Sequence, residues 1–243
     1  MTLAATHPLH LPAVLPRWWW QATGLALAGV LAWDASGLDL TVMSWLGNSE
    51  GFALRHRWWL ATVLHDGARR AATVLYLLLW AMVWRPLGFF KLYARHERVG
   101  MMVGVTAALI TISLMKRYSL TSCPWELQAF GGAARYVSHW QWGLADGGGG
   151  MCFPGGHASS ALAFMALALP GLAAQPGSRR HQTGVRLLAL VLLLGMVLGV
   201  VQTLRGAHYP SHSLWTAWLC WCVAGAVFAG LGRWRAWRAR ELS

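Results

Sequence analysis

Eight side chains able to hold a phosphate or move a proton fall in two stretches of this chain. Lys116, Arg117, Arg135, His139 and His157 lie in residues 116–157; Arg205, His208 and His212 lie in residues 202–213. The approach to His157 is glycine-rich, GGGGMCFPGGH. Taken singly these are ordinary features, because a His or Arg at a helix end is most often an interface residue and a glycine run most often a flexible loop. Together they match what a phosphate monoester requires. Its charge must meet fixed cations and free backbone N–H groups, as at a helix start. A nucleophile must attack phosphorus in line, and an acid must protonate the leaving alkoxide. Two imidazoles can divide those roles because they titrate near neutral pH. His157 and His208, each at the mouth of a different helix, fit them. Lys116 can reach the phosphate, and Gly155 and Gly156 let backbone approach it closely.

The elements that must position these groups are membrane helices. The chain has 243 residues, 56% apolar and only 12% charged, against roughly 25% charged in a typical soluble domain. Its mean hydropathy is +0.43, and it carries 17 Trp and a net charge of +12. That apolar content excludes disorder and makes a water-soluble globule a poor reading. Nucleic-acid binding is not expected either, because the Arg residues form short clusters between apolar runs rather than one basic patch. Six stretches approach the ~20 apolar residues of a span: Trp18–Trp33, Ala71–Trp84, Val99–Met115, Ala158–Ala174, Leu187–Val201 and Leu214–Leu231. The expectation is an all-α, integral membrane six-helix bundle forming a single domain over 1–243. Phe52–Leu64 mixes cationic and apolar positions and is expected in the interface. Met1–Pro16 lacks the basic start and apolar core of a cleavable signal peptide. Twelve Lys and Arg flank the side of the termini and eight the other. The positive-inside rule therefore puts the termini in the cytoplasm and the phosphate-type residues on the opposite face.

At Lys116–His212 the chain resembles the type 2 phosphatidic acid phosphatase (PAP2) superfamily, which shares its core with vanadium haloperoxidases. The family pattern is Lys, six residues, Arg-Pro; then Pro-Ser-Gly-His; then Ser-Arg, five residues, His, three residues, Asp. Here the first element is KRYSLTSCP, with Cys123 in the Arg position. The second is PGGH, with Gly155 for Ser; in the third, VQTLRGAHYPSH, Gln202 replaces Arg and His212 replaces Asp. The spellings CPW, CFPGGHAS and RGAHYPSH are similar to those of a variant branch of that superfamily. The resemblance implies His208 as nucleophile through a phosphohistidine, His157 as general acid, and Lys116, Gly155 and Gly156 as phosphate ligands, with no metal or cofactor. Gln202 is expected among the phosphate ligands, and Arg205, one helical turn after it, is the expected substitute cation; Arg117 and Arg135 are weaker ones. His212 is expected to accept the orienting hydrogen bond from His208, with Glu126 or Asp146 as possible carboxylate partners. The implied substrates are lipid phosphates: phosphatidate or another phospholipid, a polyprenyl diphosphate, or a lipid A type headgroup. The implied setting is the periplasmic face of a bacterial inner membrane.

An oxidising face permits a disulfide between Cys123 and Cys152, which would pin the Lys116 segment beside that of His157. Such a bond closes about 30 residues, for ~3 kcal/mol in the chain-entropy model. Cys220 and Cys222 read as apolar packing residues inside the last span. Three rival readings differ in kind. His208 and His212 have the i,i+4 spacing of metal or haem ligands, but all ten His lie in tails, loops or span ends and no acidic or Cys cluster completes a site. A non-catalytic lipid-binding relative and a lipid phosphotransferase using the same phosphoenzyme are the other two.

Overall fold

The computed structural model describes residues 15–241. The amino-terminal stretch read above for a signal peptide therefore lies, but for its last two residues, outside the described part. Helix α1 (Arg17–Ser36) breaks at Gly37, whose φ is 67°, into α2 (Leu38–Leu46), bent by 66°. A two-residue hairpin pairs β1 (Gly47–Asn48) with β2 (Gly51–Phe52). A π-helical segment, Trp59–Gly67, then runs straight into α3 (Ala68–Trp84). Trp59 to Leu64 thus belongs to a long apolar helix rather than to a separate interfacial segment. Helix α4 (Arg95–Tyr118) rises to Lys116, and a long loop leads to short helical pieces, α5 (Ser159–Leu162), a 3-10 turn (Ala163–Leu167) and α6 (Leu169–Leu172). Helices α7 (Arg179–Leu204) and α8 (Pro210–Glu241) complete the described chain.

Four of these helical stretches are long and apolar enough to cross a membrane: Trp59–Leu92, Arg95–Tyr118, Arg179–Leu204 and Pro210–Arg238. The bent pair α1–α2 makes a fifth if it counts as one span. The expected count of six is therefore not reached, and the missing span is Ala158–Ala174. That stretch is helical only in short pieces, two α-helical turns separated by the 3-10 turn Ala163–Leu167, and Pro170 has no N–H to give the ladder. It is also buried throughout residues 161–171, packed among α4, α7 and α8 instead of facing lipid. Small residues make that possible. A Cβ on Gly195 of α7 would lie 2.3 Å from the Leu162 side chain, so Gly195 makes the room into which Leu162 packs.

Two apolar clusters result. The larger joins Trp19, Met101, Met102, Val105, Leu162, Met165, Trp221 and Phe228 along the bundle. The smaller sits under the loops at the Lys116 end, around Met43, Phe52, Leu127, Phe130 and Tyr209. Phe52 fills the space beside Gly206, whose φ of 72° and absent Cβ the turn before His208 requires. At the opposite end the buried Glu97 carboxylate accepts from the Ala94 amide and from Arg180, tying α4 to α7. Removing one partner of such a pair strands the other charge. Glu97→Ala is expected to lower stability by about 3 kcal/mol and Glu97→Gln by less, measured as thermal unfolding in detergent.

Candidate active site

The loop after Lys116 and the loop before His157 are held together as a unit. Met151 N–H donates to Ser119 O at 2.7 Å and Cys152 N–H to Thr121 O at 3.0 Å. Beside them Cys123 and Cys152 are joined by a disulfide, with Cα atoms 5.2 Å apart. Two carboxylates fasten the same loop from within. Asp146 accepts from the Ser122 amide, the Ser122 hydroxyl and the Gly148 amide. Glu126 accepts from the amides of Cys123 and Gly149. Both acids are thus occupied with the backbone, and neither is the partner of His208 that the sequence left open. A third anchor, Trp125 N–H to Gly206 O at 2.9 Å, ties this loop to the turn before His208.

These ties build one cavity of about 540 Å³. Lys116, His157, His208, Gln202 and Gly156 line it, together with Cys123, Trp125, His65 and Arg69. Lys116 packs directly on Gly156, where an added Cβ would lie 3.4 Å from Nζ. His208 is 4% exposed, and its polar contacts are made by Nδ1, 3.4 Å from the Cys152 sulfur and 3.4 Å from His212 Nδ1. His212 Nδ1 in turn lies 2.9 Å from the Cys152 carbonyl oxygen. A carbonyl only accepts, so His212 Nδ1 carries the proton. It therefore cannot accept from His208 as the sequence reading expected, and His208 is held instead by Cys152, through its backbone and through the disulfide sulfur beside Nδ1. His157 Nε2 donates to the Leu64 carbonyl at 3.1 Å, and its ring lies against that of His65, centroids 4.5 Å apart.

Other expected site residues are placed differently. The Gly155 amide donates to the His212 carbonyl at 3.1 Å, so it is committed to positioning α8 and does not face the cavity. Arg205 is not among the lining residues. Its guanidinium donates to the Arg55 carbonyl and to Gln202 Oε1. Gln202, 2% exposed, presents an amide nitrogen with no hydrogen-bond partner among the described residues. The i,i+3 pairing of Gln202 and Arg205 is thus real, but it places Arg205 behind the amide rather than in the cavity. His65 and Arg69 were not singled out from the sequence, because they lie some fifty residues before the motifs. Their signal was the run His65 to Arg70 at the head of an apolar stretch.

The donor chemistry bears on a metal. The one group of three metal-type donors close together among the described residues is Cys123, Cys152 and His208. Its two sulfurs are bonded to each other, so neither is the thiolate that binds zinc. The residues lining the cavity include no carboxylate.

Comparison with known proteins adds one match. The family model described as the PAP2 superfamily covers residues 98–236, more than half of the chain. No curated protein and no solved structure matches it.

Burial sets the titration of this site. It pushes His157 down to about 4, helped by His65 and by the Arg205 and Arg69 charges. It pushes His208 down to about 3, helped by the Lys116 ammonium and His157. Burial also lowers His139, against the opposing pull of Asp34. The unfolded chain takes up protons on these groups near pH 6.5 while the native one does not. Their neutral burial therefore leaves stability whole above about pH 6.5 and drains it as pH falls toward about 4. The unfolding temperature in detergent is expected to begin falling near pH 6.5, above the range where carboxylates titrate, and less steeply in His157→Asn.

Proposed function

The chain belongs to the PAP2 superfamily, and from that premise we propose that it is a membrane phosphatase that removes phosphate from a lipid through a phosphohistidine. The observation that carries this reading is the meeting of Lys116, His157, His208 and Gln202 on one cavity, from the last turns of α4 and α7 and the turns before α5 and α8. With the proton of His208 on Nδ1, Nε2 holds the lone pair that attacks phosphorus. The new N–P bond replaces the P–O bond to the lipid alcohol, and His157 protonates the departing alkoxide. Water then attacks phosphorus, His157 accepts its proton, and the N–P bond breaks to release phosphate. In the empty cavity His157 is held neutral; a phosphate dianion beside it reverses the local charge and raises its proton affinity. Lys116, the free Gln202 amide and Gly156 hold the phosphate, and Arg205 fixes Gln202.

The lower wall of the cavity favours a lipid. Ala72, Tyr76, Leu109 and Phe164 line it on α3, α4 and the buried 3-10 turn, the last three about two turns from Arg69, Lys116 and His157. A phosphate at the top and a hydrocarbon chain below fit that gradient, for phosphatidate and other phospholipid phosphates, polyprenyl diphosphate and lipid A alike. The disulfide beside the cavity favours an oxidising compartment. With the distribution of Lys and Arg, it supports a periplasmic site and cytoplasmic termini in a bacterial inner membrane. Purified protein offered a panel of these lipids is expected to release phosphate at the same rate with and without EDTA. His157→Ala should slow release about 10²–10⁴-fold, and His208→Ala should reduce it to background. Undiminished turnover by His208→Ala would refute the assignment, and lipid binding without any turnover would identify a non-catalytic relative.

A further inference from the structure

A phosphate monoester is close to a dianion at neutral pH, and the motif residues bring one full positive charge, Lys116, to the cavity wall. Arg205 is turned away toward Gln202 and the Arg55 carbonyl. Cys123, at the wall, is neutral and tied up in the disulfide. A second cation nevertheless lines the cavity: Arg69, in the first turn of α3. Positions 65, 69, 72, 73 and 76 recur at helical spacing, and all five line the cavity, so one stripe of this helix forms the wall facing Lys116. Arg69 makes no ion pair among the described residues. Asp66, on the neighbouring turn, is paired with His65 at 2.8 Å instead. Two basic side chains, Arg69 and Lys116, thus face one cavity whose lining holds no carboxylate, an arrangement of like charges that an entering anion relieves. The buried Gln202 amide nitrogen, on α7 and lining the same cavity, is a further donor without an acceptor among the described residues.

We propose that Arg69 is the second cation of the phosphate site, delivered by the helix Trp59–Trp84 from outside the residues that match the family. In this arrangement Arg69 and Lys116 grip the phosphoryl oxygens from α3 and α4, and the π-helical turn before Arg69 sets His65 against His157. The inference rests on the reading of this cavity as a phosphate site, and it does not depend on turnover.

The test uses inorganic phosphate as the probe and thermal unfolding of the full-length protein in detergent as the readout, since a ligand of the native state raises the unfolding temperature with its concentration. Wild type is expected to be stabilised by phosphate. Arg69→Ala should need about tenfold more phosphate for the same shift, the loss of a charge-assisted contact. Arg69→Lys should recover part of it, and Arg70→Ala, which alters the neighbouring exposed cation outside the cavity lining, should match wild type within about twofold. Equal phosphate responses in Arg69→Ala and wild type would overturn the assignment, as would a wild type that phosphate does not stabilise. Phosphate binding that depends on Arg69, in a protein that hydrolyses none of the lipids, would sink the hydrolase reading and leave this one standing.

Discussion

Cys152 is the residue on which the geometry of the site depends. Its sulfur is bonded to Cys123, at the end of the loop leaving Lys116. Its amide donates to Thr121 on that same loop, and its carbonyl accepts a hydrogen bond from His212 Nδ1. Its sulfur also faces His208 Nδ1 and lies 3.1 Å from the Ala207 carbonyl. One residue therefore fixes the relative positions of the cation on α4, the glycine turn before His157 and the two histidines at the head of α8. Without that constraint, three loops on separate helices would have to find one another by side-chain contacts alone. Each would bring the entropy of an untied segment.

The scarcity of acid explains much of what surrounds this knot. The chain has eight Asp and Glu, and three of those at the site end, Asp146, Glu126 and Asp39, accept from backbone amides. Asp146 and Glu126 fasten the large loop, as described. Asp39, in α2, accepts from the Ser211 amide and hydroxyl and from the Trp33 indole, fixing the first turn of α8. Asp34, in α1, accepts from the indoles of Trp140 and Trp215 and lies 3.3 Å from His139 Nε2. The bent amino-terminal pair is thus an external brace for the site, although it lies outside the matched family region. Because no carboxylate enters the cavity, its charge balance depends on the ligand. The fixed charges on its wall are those of Lys116 and Arg69.

Much of the architecture was legible in composition and motif spacing, and where reading failed the cause was specific. The runs around residues 18–33, 99–115, 187–201 and 214–231 stood out because lipid-facing helices need apolar residues on every side. The stretch 158–174 looked the same, since burial in protein and burial in lipid select the same residue types. Only the positions of α4, α7 and α8 around it reveal a central broken strut. The pairing of Gln202 with Arg205 followed from helical spacing, but which of the two faces the cavity did not. Arg69 and His65 were invisible for another reason. They share no local pattern with the motifs, and only packing of α3 against α4 brings them to Lys116.

The sequence by itself determined the chemistry on offer: a membrane-embedded helical chain with a Lys, two loop histidines and a paired-cysteine loop in family order. Those are properties of residue type and spacing along one dimension. The tertiary structure alone decided which groups share a cavity, which tautomer His212 carries, and which carboxylates are spent on backbone amides. These depend on contacts between residues far apart in the chain. A hydrogen bond of 2.9 Å to one carbonyl oxygen turns His212 from a hoped-for acceptor into a donor. No periodicity in the sequence encodes that direction.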